Sequence, residues 1–103
     1  MRKGRDARTG DFFEVTMKTA PGPLTLLATY WGRERERAFR ILVDGQPVAA
    51  QTLDGQYAAD FVDISYDLPP SLTEGKDSIR VRFEPDPGHT AGPVFGLRLV
   101  KIV

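Results

Sequence analysis

Four groups of residues are suited to chemistry. Tyr30-Trp31-Gly32 closes an alternating apolar run. Trp and Tyr rings stack on the apolar face of a sugar while their polar tips hydrogen-bond, which makes Trp31 and Tyr30 candidate ligand contacts. The plainer reading of the chain's single tryptophan is a core plug, since Trp is usually well buried. The next residues, Arg33-Glu34-Arg35-Glu36-Arg37, alternate in sign. If extended, they set three arginines on one side and two glutamates on the other, a row able to meet an acidic partner or an anionic sugar. A solvated loop with self-compensating charge is the simpler alternative. Arg33 and Tyr57 complete the candidate ligand set, because an exposed Trp31 beside Tyr30 or Tyr57 favours a glycan.

Catalysis finds less support. A glycosidase needs two acids held across a scissile bond, and Asp60, Asp63 and Asp67 lie on or near one strand-like run. Asp63 and Asp67 share a face there, but no cleft signal accompanies them, so a solvated sheet face accounts for both. Ca²⁺ would need about six to eight oxygen ligands, and no compact loop supplies them. A Ser–His–Asp triad can be written from Ser65 or Ser78 with His89, yet there is no nucleophile-elbow motif. His89 sits in the loop Pro87-Gly88-His89-Thr90 without a second His. Absence of Cys removes disulfides, thiolate nucleophiles and Cys-ligated zinc. The residues therefore point to no enzyme activity, no catalytic or metal-binding residues and no cofactor.

The elements that must position these groups are strands. Phe12–Thr19 puts Phe13, Val15 and Met17 on one face and Glu14, Thr16 and Lys18 on the other, the period-2 pattern of a half-buried strand. Leu24–Tyr30 follows the break at Ala20-Pro21-Gly22-Pro23. Ala38–Val43 turns Phe39, Ile41 and Val43 inward. Asp44-Gly45 then reads as a two-residue hairpin turn, because both residues tolerate positive φ. Pro47–Leu53 returns as the partner, with Pro47 at a strand start or on an edge. In Phe61–Leu68, Val62, Ile64, Tyr66 and Leu68 oppose Asp63, Ser65 and Asp67. Ser78–Phe83 turns Ile79, Val81 and Phe83 inward, and a last strand is expected from about Val94 to Val103, with Phe95, Leu97 and Leu99 on one face. Ser71 is positioned to cap one short helical turn over Pro70–Glu74.

The expected fold is all-β: an antiparallel two-sheet sandwich of about seven or eight strands, of jelly-roll or galactose-binding-like layout. Residues 1–10 read as a basic lead-in and 11–103 as a single domain. The 14 Lys+Arg balance 14 Asp+Glu, so the basic excess that drives phosphate binding is missing, and nucleic acid is not an expected partner. No apolar run approaches the roughly 18 residues of a membrane span, and no apolar stretch follows the basic start as a signal peptide requires. Compartment stays open between cytoplasm and periplasm. Outward Arg40, Arg80, Arg82 and Arg98 are placed either to pair with Glu14, Asp63 and Asp67 across strands or to form an interface with another domain, and the sequence does not separate the two.

Several stretches resemble a known domain. They are Arg5-Asp6-Ala7-Arg8-Thr9-Gly10-Asp11-Phe12-Phe13, Pro23-Leu24-Thr25-Leu26, Tyr30-Trp31-Gly32, Phe39-Arg40-Ile41-Leu42-Val43-Asp44-Gly45, Tyr66-Asp67-Leu68-Pro69, Val81-Arg82-Phe83 and Ala91-Gly92-Pro93-Val94-Phe95-Gly96-Leu97-Arg98. In this order and spacing, from about Arg5 to Val103, they resemble the non-catalytic C-terminal β-sandwich of glycoside hydrolase family 127, the β-L-arabinofuranosidase group. In that family the chemistry belongs to a separate helical barrel with a Cys nucleophile and a Cys/Glu-bound zinc, and none of those residues maps onto this chain. The resemblance implies an accessory role: packing on a catalytic glycosidase domain in cis or in trans, contributing to homo-oligomer contacts, or touching carbohydrate. A structural or oligomerisation module and a stand-alone lectin-like binder are the alternatives.

Overall fold

The computed structural model describes residues 5–7 and 11–102. Among them are nine strands: β1 Arg5–Ala7, β2 Phe13–Lys18, β3 Leu24–Trp31, β4 Arg37–Val43, β5 Gln46–Leu53, β6 Phe61–Leu68, β7 Ser78–Pro85, β8 Ala91–Val94 and β9 Gly96–Lys101. A four-stranded sheet in the order β2-β7-β4-β5 faces a three-stranded sheet in the order β6-β3-β9, and β1 pairs separately with β8. Every strand pairing is antiparallel. The chain is thus the expected all-β sandwich.

The inward faces are those that alternation assigns. Phe39, Ile41, Val43, Ile79, Val81 and Phe83 from one sheet, and Leu24, Leu26, Ala28 and Tyr30 from the other, are all at most 1% exposed. Phe13 and Phe83 are cross-strand partners whose rings stack at 4.8 Å, and Phe83 also meets Phe39 at 6.0 Å. Such ring pairs add about 0.5–1.5 kcal/mol beyond their buried area. Tyr30 of β3 crosses the layer to Phe39 of β4 at 5.8 Å. On the outside, Arg82 bonds Glu14 at 3.0 Å, Arg40 bonds Glu84 at 2.6 Å, and the Arg82 guanidinium covers the Phe12 ring at 3.9 Å.

Three local expectations change. The closing strand is two strands, β8 and β9, divided at Phe95. There the chain leaves the β1 ladder and joins β3, with the Phe95 amide donating to the Thr29 carbonyl at 2.8 Å. Gly96 allows this approach, since a Cβ there would stand 3.1 Å from Thr29 Oγ1. Leu97 and Leu99 then turn toward the core, while Phe95 meets Phe61 instead. The helical turn is a single 3-10 turn, Pro70–Leu72, with Pro69 in the capping position, so Ser71 lies inside it and caps nothing. Residues 33–36 form an irregular loop, not an extended row, and Arg37 opens β4. Glu36 has φ 57°, and Arg37 folds back onto Glu34 at 3.2 Å, which compensates charge locally. Most of the lead-in assigned to residues 1–10 lies outside the described residues; Arg5–Ala7 runs antiparallel to β8. Among the described residues no helix is long and apolar enough to cross a membrane.

Asp44-Gly45 forms the β4–β5 turn with φ 47° and 82°, and Asp44 has a second role. Its Oδ1 accepts from the Arg80 amide at 2.9 Å and its Oδ2 accepts from Lys76 Nζ at 2.8 Å. The Lys76 hydrogen bond, followed by that of the Arg80 amide, holds the Asp44 carboxyl below its ordinary range. A depressed carboxyl stabilises the fold above its unfolded value of about 3.9. That stability is lost as pH falls through the lower folded value. Asp44→Asn keeps the turn and an acceptor for Arg80, so it should cost less than about 1 kcal/mol. Asp44→Ala should cost about 1–2 kcal/mol, since it loses both bonds and leaves alanine in the left-handed region. Urea unfolding checks this: the gap between wild type and Asp44→Asn should narrow below about pH 4, and a pH-independent gap would refute the assignment.

Candidate functional site

The outward face of the three-stranded sheet carries the site. Along β3 the outward residues are Thr25, Leu27, Thr29 and Trp31, alternating with the buried Leu24, Leu26, Ala28 and Tyr30. Register sets Trp31 beside Phe61, Thr29 beside Asp63, Leu27 beside Ser65 and Thr25 beside Asp67 on β6. On the other flank, β9 sets Gly96 beside Thr29, Arg98 beside Leu27 and Val100 beside Thr25.

At one end of this face three rings meet edge to face. Trp31 and Phe61 lie 5.4 Å apart at 74°, and Phe61 and Phe95 lie 5.1 Å apart at 67°. Trp31 is partly buried and Phe61 is 41% exposed. Next to them is a shallow concavity of about 350 Å³ lined by Thr29, Asp63, Phe95, Gly96, Leu97 and Arg98. It is open because Gly96 lacks a side chain opposite Thr29. Thr29 Oγ1 donates to Asp63 Oδ1, and Arg98 stands 3.8 Å from Asp63 Oδ2. Apolar ring surface thus adjoins an oriented carboxylate and a half-solvated guanidinium. That combination suits a polyol with an apolar face, because rings cover C–H surface while the ionic groups accept from and donate to hydroxyls.

The four residues expected to bind ligand separate. Trp31 belongs to this face, and Arg33 lies exposed in the turn after it. Tyr30 is 0% exposed and points the opposite way. Its hydroxyl donates to Tyr66 at 2.8 Å, and Tyr66 donates to Gln51 Oε1 at 2.8 Å, a polar chain that ties the two sheets together. Burial first, and the neighbouring phenols after it, push Tyr30 well above the ordinary tyrosine range; burial likewise raises Tyr66. Tyr57 packs against the same core, and its amide donates to the Gly32 carbonyl at 3.3 Å. The structure therefore joins Trp31 to Phe61 and Phe95, not to Tyr30 and Tyr57.

Phe61 was detectable in the sequence as the one apolar residue on the face of β6 otherwise formed by Asp63, Ser65 and Asp67. Phe95 gave no such signal, because alternation alone turns it inward. Asp60, Asp63 and Asp67 do not converge: among the described residues no cluster of three His, Cys, Asp or Glu side chains could hold a metal ion. His89 is exposed, with Nδ1 3.2 Å from the Glu36 carbonyl. A larger cleft of about 620 Å³ lies at the opposite end of the sandwich, between the Ala20–Pro23 turn and Pro70–Asp77. It has no aromatic ring, and the Thr19 hydroxyl and the Lys76 ammonium in its wall are engaged by Lys76 O and Asp44.

The fold is a two-sheet β-sandwich similar to that of a carbohydrate-binding module. The native structure of a family 35 carbohydrate-binding module from Clostridium thermocellum superposes with a TM-score of 0.56 at 20% identity, over 88% of this chain and 70% of that one. At that identity the likeness concerns the fold. The chain belongs to the family of unknown function DUF6805, matched over residues 2–100. No curated protein sequence matches it.

Proposed function

We propose that this domain is a non-catalytic accessory module of a glycosidase-type protein and that it contacts carbohydrate through Trp31. The observation that carries the reading is the Trp31–Phe61–Phe95 cluster beside Asp63 and Arg98 on an outward sheet face. Phe61 leaves 41% of its surface in water, apolar area that a ligand would cover. The fold shared with a carbohydrate-binding module supports the same reading, as does the resemblance to the β-sandwich of glycoside hydrolase family 127. The catalytic domain it would accompany, in cis or in trans, is part of this proposal.

The test is an NMR titration of the labelled domain with arabinose-containing and galactose-containing oligosaccharides, following the Trp31 indole resonance. Saturable shifts centred on Trp31 are expected. Trp31→Ala should weaken binding at least about tenfold, the loss of one buried aromatic contact, with the fold intact because the ring lies outside the core. Unchanged affinity in that variant would refute the assignment.

A second reading has its own observation. Val100 and Ile102 are exposed at 38% and 43% near the end of β9, a small apolar strip suited to packing against another domain or a second copy. Absence of any sugar-induced shift would leave this structural role standing.

A further inference from the structure

We propose that the outward face binds an uncharged, linear oligosaccharide laid along β3, with a second subsite at Thr25 and Asp67. This rests on the carbohydrate-binding reading above and extends it from one sugar ring to several. The motif that carries it is repeated: Thr29 donates to Asp63, and Thr25 donates to Asp67 at 2.6 Å. Both are cross-strand β3–β6 pairs on the same face. In each, the hydroxyl bonds Oδ1 and so fixes the carboxylate; Oδ2 of Asp63 stands 3.8 Å from Arg98, and both carboxylates keep lone pairs able to accept from a ligand hydroxyl. The pairs stand four residues apart along β3. At about 3.3 Å per residue that is roughly 13 Å, more than one sugar ring spans.

The surface between them fits a chain of rings. Leu27 separates the two threonines and is only partly buried. Arg98, opposite Leu27 in register, has 65% of its side chain in solvent and can donate to hydroxyls of a ring lying between the subsites. Trp31 and Phe61 close one end, and the exposed Val100 flanks the other beside Thr25. Read along the strand, apolar surface alternates with fixed polar groups, as C–H faces alternate with hydroxyl edges along a glycan. Two carboxylates against one guanidinium make the track mildly acidic, so a polyanionic chain is repelled and an uncharged one is not.

Calorimetry and NMR titration with two series decide it: 1,5-linked arabino-oligosaccharides and 1,4-linked galacto-oligosaccharides, each from the monosaccharide to the tetrasaccharide, with oligogalacturonate as the anionic comparison. In one neutral series affinity should rise roughly tenfold from mono- to trisaccharide, the gain of new hydrogen bonds to a charged group. The shifts should spread from Trp31 to Thr25. Asp67→Ala should remove that gain and leave monosaccharide affinity unchanged; Thr25→Val, which frees the carboxylate to rotate, should reduce it. Equal affinity at every length with shifts confined to Trp31 would overturn the extended track while the carbohydrate reading stands. Tighter binding of oligogalacturonate would overturn the uncharged class. No shift at Trp31 in either series would overturn both the track and the reading beneath it.

Discussion

Gly32→Ala is expected to lower the unfolding free energy by about 3 kcal/mol, the combined cost of overpacking and weakened hydrogen bonds. Gly32 lies under the loop that leads into β6. A Cβ at this position would stand 2.1 Å from the Ala58 carbonyl oxygen, 2.9 Å from Tyr57 Cβ and 3.1 Å from the Asp60 carbonyl oxygen. Two of those obstacles are backbone, which cannot rotate aside as a flexible side chain can. The same loop is bound to Gly32 on both sides: its amide donates to Asp60 O at 2.9 Å and its carbonyl accepts from Tyr57 at 3.3 Å. Moving the loop to admit a methyl group therefore strains both bonds at once. In thermal unfolding the melting temperature should fall by roughly 15 °C, at 4–8 °C per kcal/mol for a domain of this size. A fall of only about a degree would show that the loop yields freely. The displacement should also reach the ligand face, because Phe61 follows Asp60 directly and holds the Trp31 ring. The indole resonance should shift in the folded fraction of the variant.

The second large effect is expected from Phe83→Ala, at about 3–5 kcal/mol. Phe83 is fully buried, stacked on Phe13 and in contact with Phe39. It lies on β7, which hydrogen-bonds β2 on one side and β4 on the other, so neither neighbouring strand can close a void without breaking register. The lost transfer energy is then added to the cost of an unfilled cavity. Phe12→Ala provides the contrast. That ring is 51% exposed and contributes mainly its contact with the Arg82 guanidinium, so about 0.5–1 kcal/mol is expected. Denaturant unfolding of both variants measures the difference. Equal costs would mean that the cavity at Phe83 collapses, contrary to its position in the central strand.

The strand framework was legible because it rests on local rules. Val62, Ile64, Tyr66 and Leu68 alternate with Asp63, Ser65 and Asp67, and only an extended chain with one buried face satisfies that pattern. Asp44-Gly45 demanded a tight turn because both residues adopt positive φ. Pro47 marked an edge because it lacks an amide hydrogen, and β5 is an edge of its sheet.

The ligand face needed the third dimension. Trp31, Phe61 and Phe95 are separated by about thirty residues at each step, and no local pattern relates them. They meet because β3 pairs with β6 on one flank and β9 on the other. Sequence spacing made Tyr30 and Trp31 look like one platform, although adjacent residues of a strand point to opposite faces: Tyr30 enters the core and Trp31 faces out. Phe95 departs from simple alternation because the chain changes sheets there. By itself, then, the sequence determined where the chain is extended and which side chains are buried, because burial follows a two-residue period. Tertiary structure alone decided which outward residues stand together, because strand order and register are set by long-range pairing between segments far apart in the chain.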